Sequence, residues 1–125
     1  MIRGLHHISM KCQPGEELAR VREFYLDLLG CSVRREWDGG LMIDLGNTLL
    51  EVFTNGTGSR VQGAIRHMAF AVDDVDAAAQ RIREAGYDVF IGPRDIEIRS
   101  DPVYPARVSF CTGPLGEEIE LFQER

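Results

Sequence analysis

The chain has no run approaching the roughly 18 apolar residues that a membrane-spanning helix requires. Its opening, MIRGLHHISM, also lacks the apolar core of a secretory signal. Cysteine is scarce: Cys12, Cys31 and Cys111 form an odd set without CxxC spacing. That argues against a disulfide framework and for a reducing compartment, so cytoplasm is the expected location. Basic residues are outnumbered, with 14 Lys and Arg against 20 Asp and Glu and a net charge of −6. A general nucleic-acid binder needs clustered positive charge, and an anionic membrane surface selects for it too, so neither is an expected partner. A small molecule is. The 44% hydrophobic content over 125 residues fits one compact domain, or two small modules sharing it.

What is present is an internal duplication. The first half opens on His6-His7-Ile8-Ser9-Met10 and closes on Leu50-Glu51-Val52-Phe53. The second opens on Arg66-His67-Met68-Ala69-Phe70 and closes on Ile119-Glu120-Leu121-Phe122. Between these ends each half carries a helical pattern, a glycine and further strands. Leu18, Val21, Phe24, Tyr25, Leu28 and Leu29 follow helical spacing, with Glu16 and Glu17 in the first turn and Gly30 as a left-handed stop. Val75, Ala78, Ala79, Ile82 and Ala85 make the second stripe, with Asp73 or Asp74 as cap and Gly86 as stop.

The strands alternate. His7, Ser9 and Lys11 share one face, against Ile8, Met10 and Cys12; Leu50 and Val52 oppose Glu51. His67 lies with Ala69 and Ala71, and Glu120 with Glu118 and Phe122, against Ile119 and Leu121. Each His and Glu therefore falls on the less apolar face. His6 falls on the opposite face and reads as structural. The pattern predicts an α+β fold: two βαβββ modules in a curved mixed sheet, helices on the convex face. Module one is 1–58 and module two is 59–125, joined near Asn55-Gly56-Thr57-Gly58-Ser59. Gly39-Gly40 and Gly46-Asn47 mark turns, and residues 92–106, with three prolines, read as an irregular excursion.

Two imidazoles and two carboxylates suit one divalent ion such as Ni, Zn or Co, with Fe and Mn as further candidates. Such a site polarises a carbonyl or hydroxyl, and a neighbouring carboxylate can then move a proton from the adjacent carbon. His7, Glu51, His67 and Glu120 are the candidate ligands. Arg94, Arg99 and Arg107, near the excursion, are candidates to guide an anionic substrate. A nucleophilic cysteine is disfavoured, because no His–Asp pair is placed to activate one.

The segments LHHISM, EFYLDLLG, LLEVF, RHMAFAVDDVDAA and GPLGEEIELF resemble the glyoxalase/bleomycin-resistance/dioxygenase, or vicinal-oxygen-chelate, superfamily over nearly the whole chain. The order His, Glu, His, Glu resembles glyoxalase I, which isomerises the hemithioacetal of methylglyoxal and glutathione. The resemblance implies a lyase or isomerase with Glu120 as the likelier catalytic base and Glu51 on the opposite side of the substrate. It implies Lys11 and Asn55 as substrate contacts, Lys11 standing where that family usually has Arg. It also implies a homodimer. The alternatives are another metal-dependent epimerase or isomerase, an Fe-dependent dioxygenase using His7, His67 and Glu120, and a metal-free small-molecule binding protein.

Overall fold

The computed structural model describes residues 1, 3–58 and 60–125. The chain divides into two compact units, Met1–Ser59 and Arg60–Arg125. Ser59, at the end of the expected linker, lies outside the described residues.

The first unit runs β1 (His7–Lys11), α1 (Glu16–Arg22), β2 (Ser32–Trp37), β3 (Gly40–Asp44) and β4 (Leu49–Phe53). Beyond Arg22 the helix continues as wider turns over Glu23–Leu28, where the Leu29 amide donates to the Phe24 carbonyl five residues back. The strands form one sheet in the order β1-β4-β3-β2, with β1 parallel to β4 and the other pairs antiparallel. Leu41, Ile43, Leu50 and Val52 from the sheet, with Val21, Phe24 and Tyr25 from the helix, are fully buried. At about 1.5–3 kcal/mol per buried large apolar side chain, this layer is the main stabilising contribution of the unit.

The second unit repeats the plan with β5 (Met68–Ala71), α2 (Val75–Glu84), β6 (Val89–Ile98), β7 (Tyr104–Thr112) and β8 (Glu118–Glu124). Its sheet order is β5-β8-β7-β6, with β5 parallel to β8. The Asp74 carboxylate caps α2 by accepting from the Ala77 amide. Gly86 follows the helix at φ +93°, a conformation that penalises a Cβ. Val75, Ala79 and Ile82 form the buried stripe of α2, against a sheet face carrying Ser109, Cys111, Ile119 and Leu121. No helix among the described residues is long and apolar enough to cross a membrane.

Two expectations are corrected. Residues 92–106 are not an irregular excursion; most of them belong to the β6–β7 hairpin. The prolines mislead because each sits where a strand tolerates a missing donor or where no strand runs. Pro93 falls at a register shift in edge strand β6, Pro105 at the start of β7, and Pro102 in the turn. His6, expected to turn into the apolar layer, is exposed instead.

Candidate metal site

In the first unit Ser9 is the register partner of Glu51 across the parallel β1–β4 pair. In the second unit Ala69 is the register partner of Glu120 across β5–β8. Each of these partners lies two residues after a histidine, so His7 and His67 occupy the same diagonal position relative to their glutamates. The antiparallel neighbours are Met42 for Glu51 and Phe110 for Glu120. The duplication is therefore one of backbone register as well as of residue order.

The side chains complete this arrangement. His7 Nε2 lies 3.7 Å from Glu51 Oε1, and His67 Nε2 lies 3.2 Å from Glu120 Oε2. Both carboxylates are 13% exposed, whereas the imidazoles are 38% and 39% exposed, so the donors remain reachable from solvent. On the opposite faces of their strands, Leu50, Val52, Ile119 and Leu121 are buried and hold each glutamate outward. No cluster of three or more His, Cys, Asp or Glu able to hold a metal occurs among the described residues; what the fold brings together is two pairs.

Two neighbouring rings orient the histidines. His6 Nδ1 lies 2.9 Å from His7 Nδ1, so one ring donates and the other accepts, and His7 Nε2 is left facing Glu51. Phe110 packs edge-on against His67 with ring centroids 5.4 Å apart. From the sequence alone Phe110 fits a cavity lining or the core equally, and the β7–β8 register decides between them. Nothing local announced the His6 contact.

The other predicted contacts are placed unequally. Lys11 is exposed at the end of β1, in register with Phe53, two residues beyond Glu51 on the same face. Asn55 is exposed just after β4. Arg99 lies in the turn beyond the Ile98–Tyr104 pair, six residues along β7 from Phe110 and so roughly 20 Å from the Glu120 row. Arg107 does not share the face of Glu120. It belongs to the helix face, where its Nε and Nη2 donate to Asp76 at 2.6 and 2.8 Å and its Nη1 to Asp95 at 3.2 Å. A guanidinium committed in this way fastens α2 to the hairpin.

The Arg107 hydrogen bond holds the Asp76 carboxyl below its ordinary value of 3.8, and Arg107 is in turn raised. A depressed folded-state value stabilises the fold above pH 3.8, and the contribution is lost as pH falls through the lower folded value. Arg107→Gln should therefore flatten the acid limb of a plot of thermal midpoint against pH. An unchanged acid limb would show that this pair does not couple to folding.

The thiols are unsuited to nucleophilic work. Burial raises Cys12 and Cys31, and pushes Cys111 up to about 12, with Glu117 and Asp88 adding to the effect on Cys111.

A duplicated βαβββ chain with one His–Glu pair on the open face of each sheet defines the class of protein. Its family follows. The chain belongs to the Glyoxalase/Bleomycin resistance protein/Dioxygenase superfamily, whose model matches residues 4–121. It is 28% identical to the uncharacterized protein YwkD of Bacillus subtilis (strain 168), the match covering 99% of each chain. Among solved structures it resembles TnmS3, an antibiotic binding protein from Streptomyces sp. CB03234, with TM-score 0.73, 22% identity and coverage of 99% and 98%. It also resembles the lactoylglutathione lyase of Agrobacterium tumefaciens, with TM-score 0.67, 16% identity and coverage of 98% and 95%. At these identities the two structures bear on the fold alone.

Proposed function

We propose that this protein is a metal-dependent lyase or isomerase of the glyoxalase I type, with one divalent ion held jointly by His7, Glu51, His67 and Glu120. The observation that carries the reading is the repeated register, which gives each unit one imidazole and one carboxylate in the same diagonal placement. The donor chemistry fits. Neutral imidazoles and carboxylates are ligands for Ni, Zn or Co, and two carboxylates balance a dipositive ion. The expected assembly is a homodimer, as the family resemblance implies. The expected location is the cytoplasm.

When bound, the ion supplies Lewis acidity towards a carbonyl or hydroxyl oxygen of the substrate. The chain supplies the rest. Glu120 takes a proton from the carbon beside that oxygen and returns it to the neighbouring carbon, and Glu51 is the second catalytic carboxylate. His6, against His7 Nδ1, holds the ligand ring in its working orientation. Lys11 and Asn55 are the substrate contacts that the first unit supplies.

The test is metal analysis of the protein reconstituted with Ni²⁺, Zn²⁺ or Co²⁺, followed by an assay with the hemithioacetal of methylglyoxal and glutathione. The expected result is one tightly held ion per four-donor set, and turnover. Bound metal without turnover removes this substrate and points to epimerisation or isomerisation of another oxygen-chelating metabolite. No metal uptake overturns the enzyme reading in favour of a metal-free small-molecule binding protein.

A further inference from the structure

The sheet of the second unit carries a cation that is not engaged in its ion-pair network. Arg94 pairs in register with Val108, Val108 with Phe122, and Phe122 with Ala71. This row lies directly beside the row of Phe110, Glu120 and Ala69. Arg94 therefore shares the open face with the His67–Glu120 pair. Asp95 confirms the parity: it is the register partner of Arg107 and bonds to it from the helix face. Arg107 is saturated by Asp76 and Asp95, and Arg125 approaches Asp95 at 3.6 Å. Arg94 is exposed and has no ion pair or hydrogen bond among the described residues.

The placement of Arg94 is the product of two irregularities. Val89 pairs with Cys111, Ile91 with Phe110 and Arg94 with Val108, so the register slips by one residue twice within six positions of β6. Continued without slips from the Val89–Cys111 pair, the ladder would set Arg94 opposite Ala106, in the row of Glu124. The two slips move it one row, about 7 Å, towards Glu120. Bulges of this kind re-aim side chains at sites, and each leaves an extra residue outside the ladder. Here they carry a guanidinium two strands over and one row along from the Glu120 carboxylate, roughly 12 Å between Cα atoms by sheet geometry.

We propose that Arg94 is a specificity-determining residue that reads an anionic oxygen group, carboxylate or phosphate, on the substrate. The substrate class is then a vicinal oxygen chelator with an anionic tail a few bonds from the chelating oxygens. The inference rests on the metal-site reading given above. A planar guanidinium suits such a group because it can donate two parallel hydrogen bonds. Phe122 in the same row, and Phe110 in the next, give the intervening part of the ligand an apolar floor.

The experiment compares three chelating probes on the metal-loaded protein by titration calorimetry. Acetohydroxamate has the chelating head alone; succinate monohydroxamate adds a carboxylate; 3-phosphonopropanohydroxamate adds a phosphonate. The tailed probes should bind about tenfold tighter than acetohydroxamate, as expected for one charge-assisted contact at a partly solvated site. Arg94→Gln should abolish that preference and leave acetohydroxamate affinity unchanged, and Arg94→Lys should retain part of it. Which tailed probe gains more separates a carboxylate reader from a phosphate reader. Equal preference in the wild type and Arg94→Gln overturns the assignment while leaving the metal site standing. Failure of all three probes on metal-bearing protein overturns the chelating site and the assignment with it.

Discussion

Glu120→Gln is expected to lower kcat on the turned-over substrate by about 10²- to 10⁴-fold, the range for removal of a positioned general base. The amide keeps the size of the side chain and an oxygen donor but has neither the charge nor the basicity to accept a proton. The substitution lies on the open face of β8, whereas Ile119 and Leu121 on the other face anchor the strand in the core. Folding should therefore be little affected, and the thermal midpoint of the metal-free protein should stay close to that of wild type. A useful control is Glu84→Gln at the exposed end of α2, where the carboxylate only accepts from the Gln80 amide. Full turnover in Glu120→Gln would sink the assignment of Glu120 as base. Loss of metal without any residual single-turnover chemistry on reloading would reassign it to a ligand role alone.

Legibility from sequence followed the physics of each element. Alternation around Glu51 and Glu120 was readable because a strand with one buried face must place Leu50, Val52, Ile119 and Leu121 together. The Asp74 cap and the Gly86 stop were readable because capping chemistry is local. The hairpin over residues 92–106 was not, since proline acts as a breaker in a central strand but is tolerated at an edge, and edge status is a property of the whole sheet. The contrast between Arg94 and Arg107 was equally hidden. Both lie near the same predicted excursion, but the two register slips move Arg94 one row along the open face towards Glu120, while Asp76 on α2 fastens Arg107 on the helix face. The His6–His7 contact depends on ring orientations at a strand entrance, for which residue order carries no signal.

The second large effect lies in the hairpin before Glu51. Gly39 and Gly40 look alike in the sequence, as a turn pair, yet alanine should be tolerated at one and not at the other. A Cβ on Gly40 would lie 2.4 Å from the Val52 carbonyl oxygen and 2.9 Å from Trp37 Cζ2. The oxygen is backbone within the β3–β4 ladder, where Gly40 pairs with Phe53, so it cannot move without opening that ladder. Trp37 is held against Phe53 with ring centroids 5.8 Å apart. A Cβ on Gly39 would meet only Trp37 atoms at 3.5 and 3.7 Å, which is ordinary contact. Gly40→Ala should therefore cost about 3 kcal/mol, the upper part of the usual overpacking range. Gly39→Ala should be neutral or slightly stabilising, through the lower entropy of its unfolded chain. Urea denaturation of the two variants beside wild type measures the difference directly. The damage should also reach the site, because β4 carries Glu51 and its β3 neighbour is Met42. Once the ladder opens, Glu51 no longer keeps its place beside His7, and metal retention should fall in Gly40→Ala but not in Gly39→Ala. Equal stability of the two variants would mean that β3 and β4 can separate without cost, and the rigid placement of Glu51 would go with it.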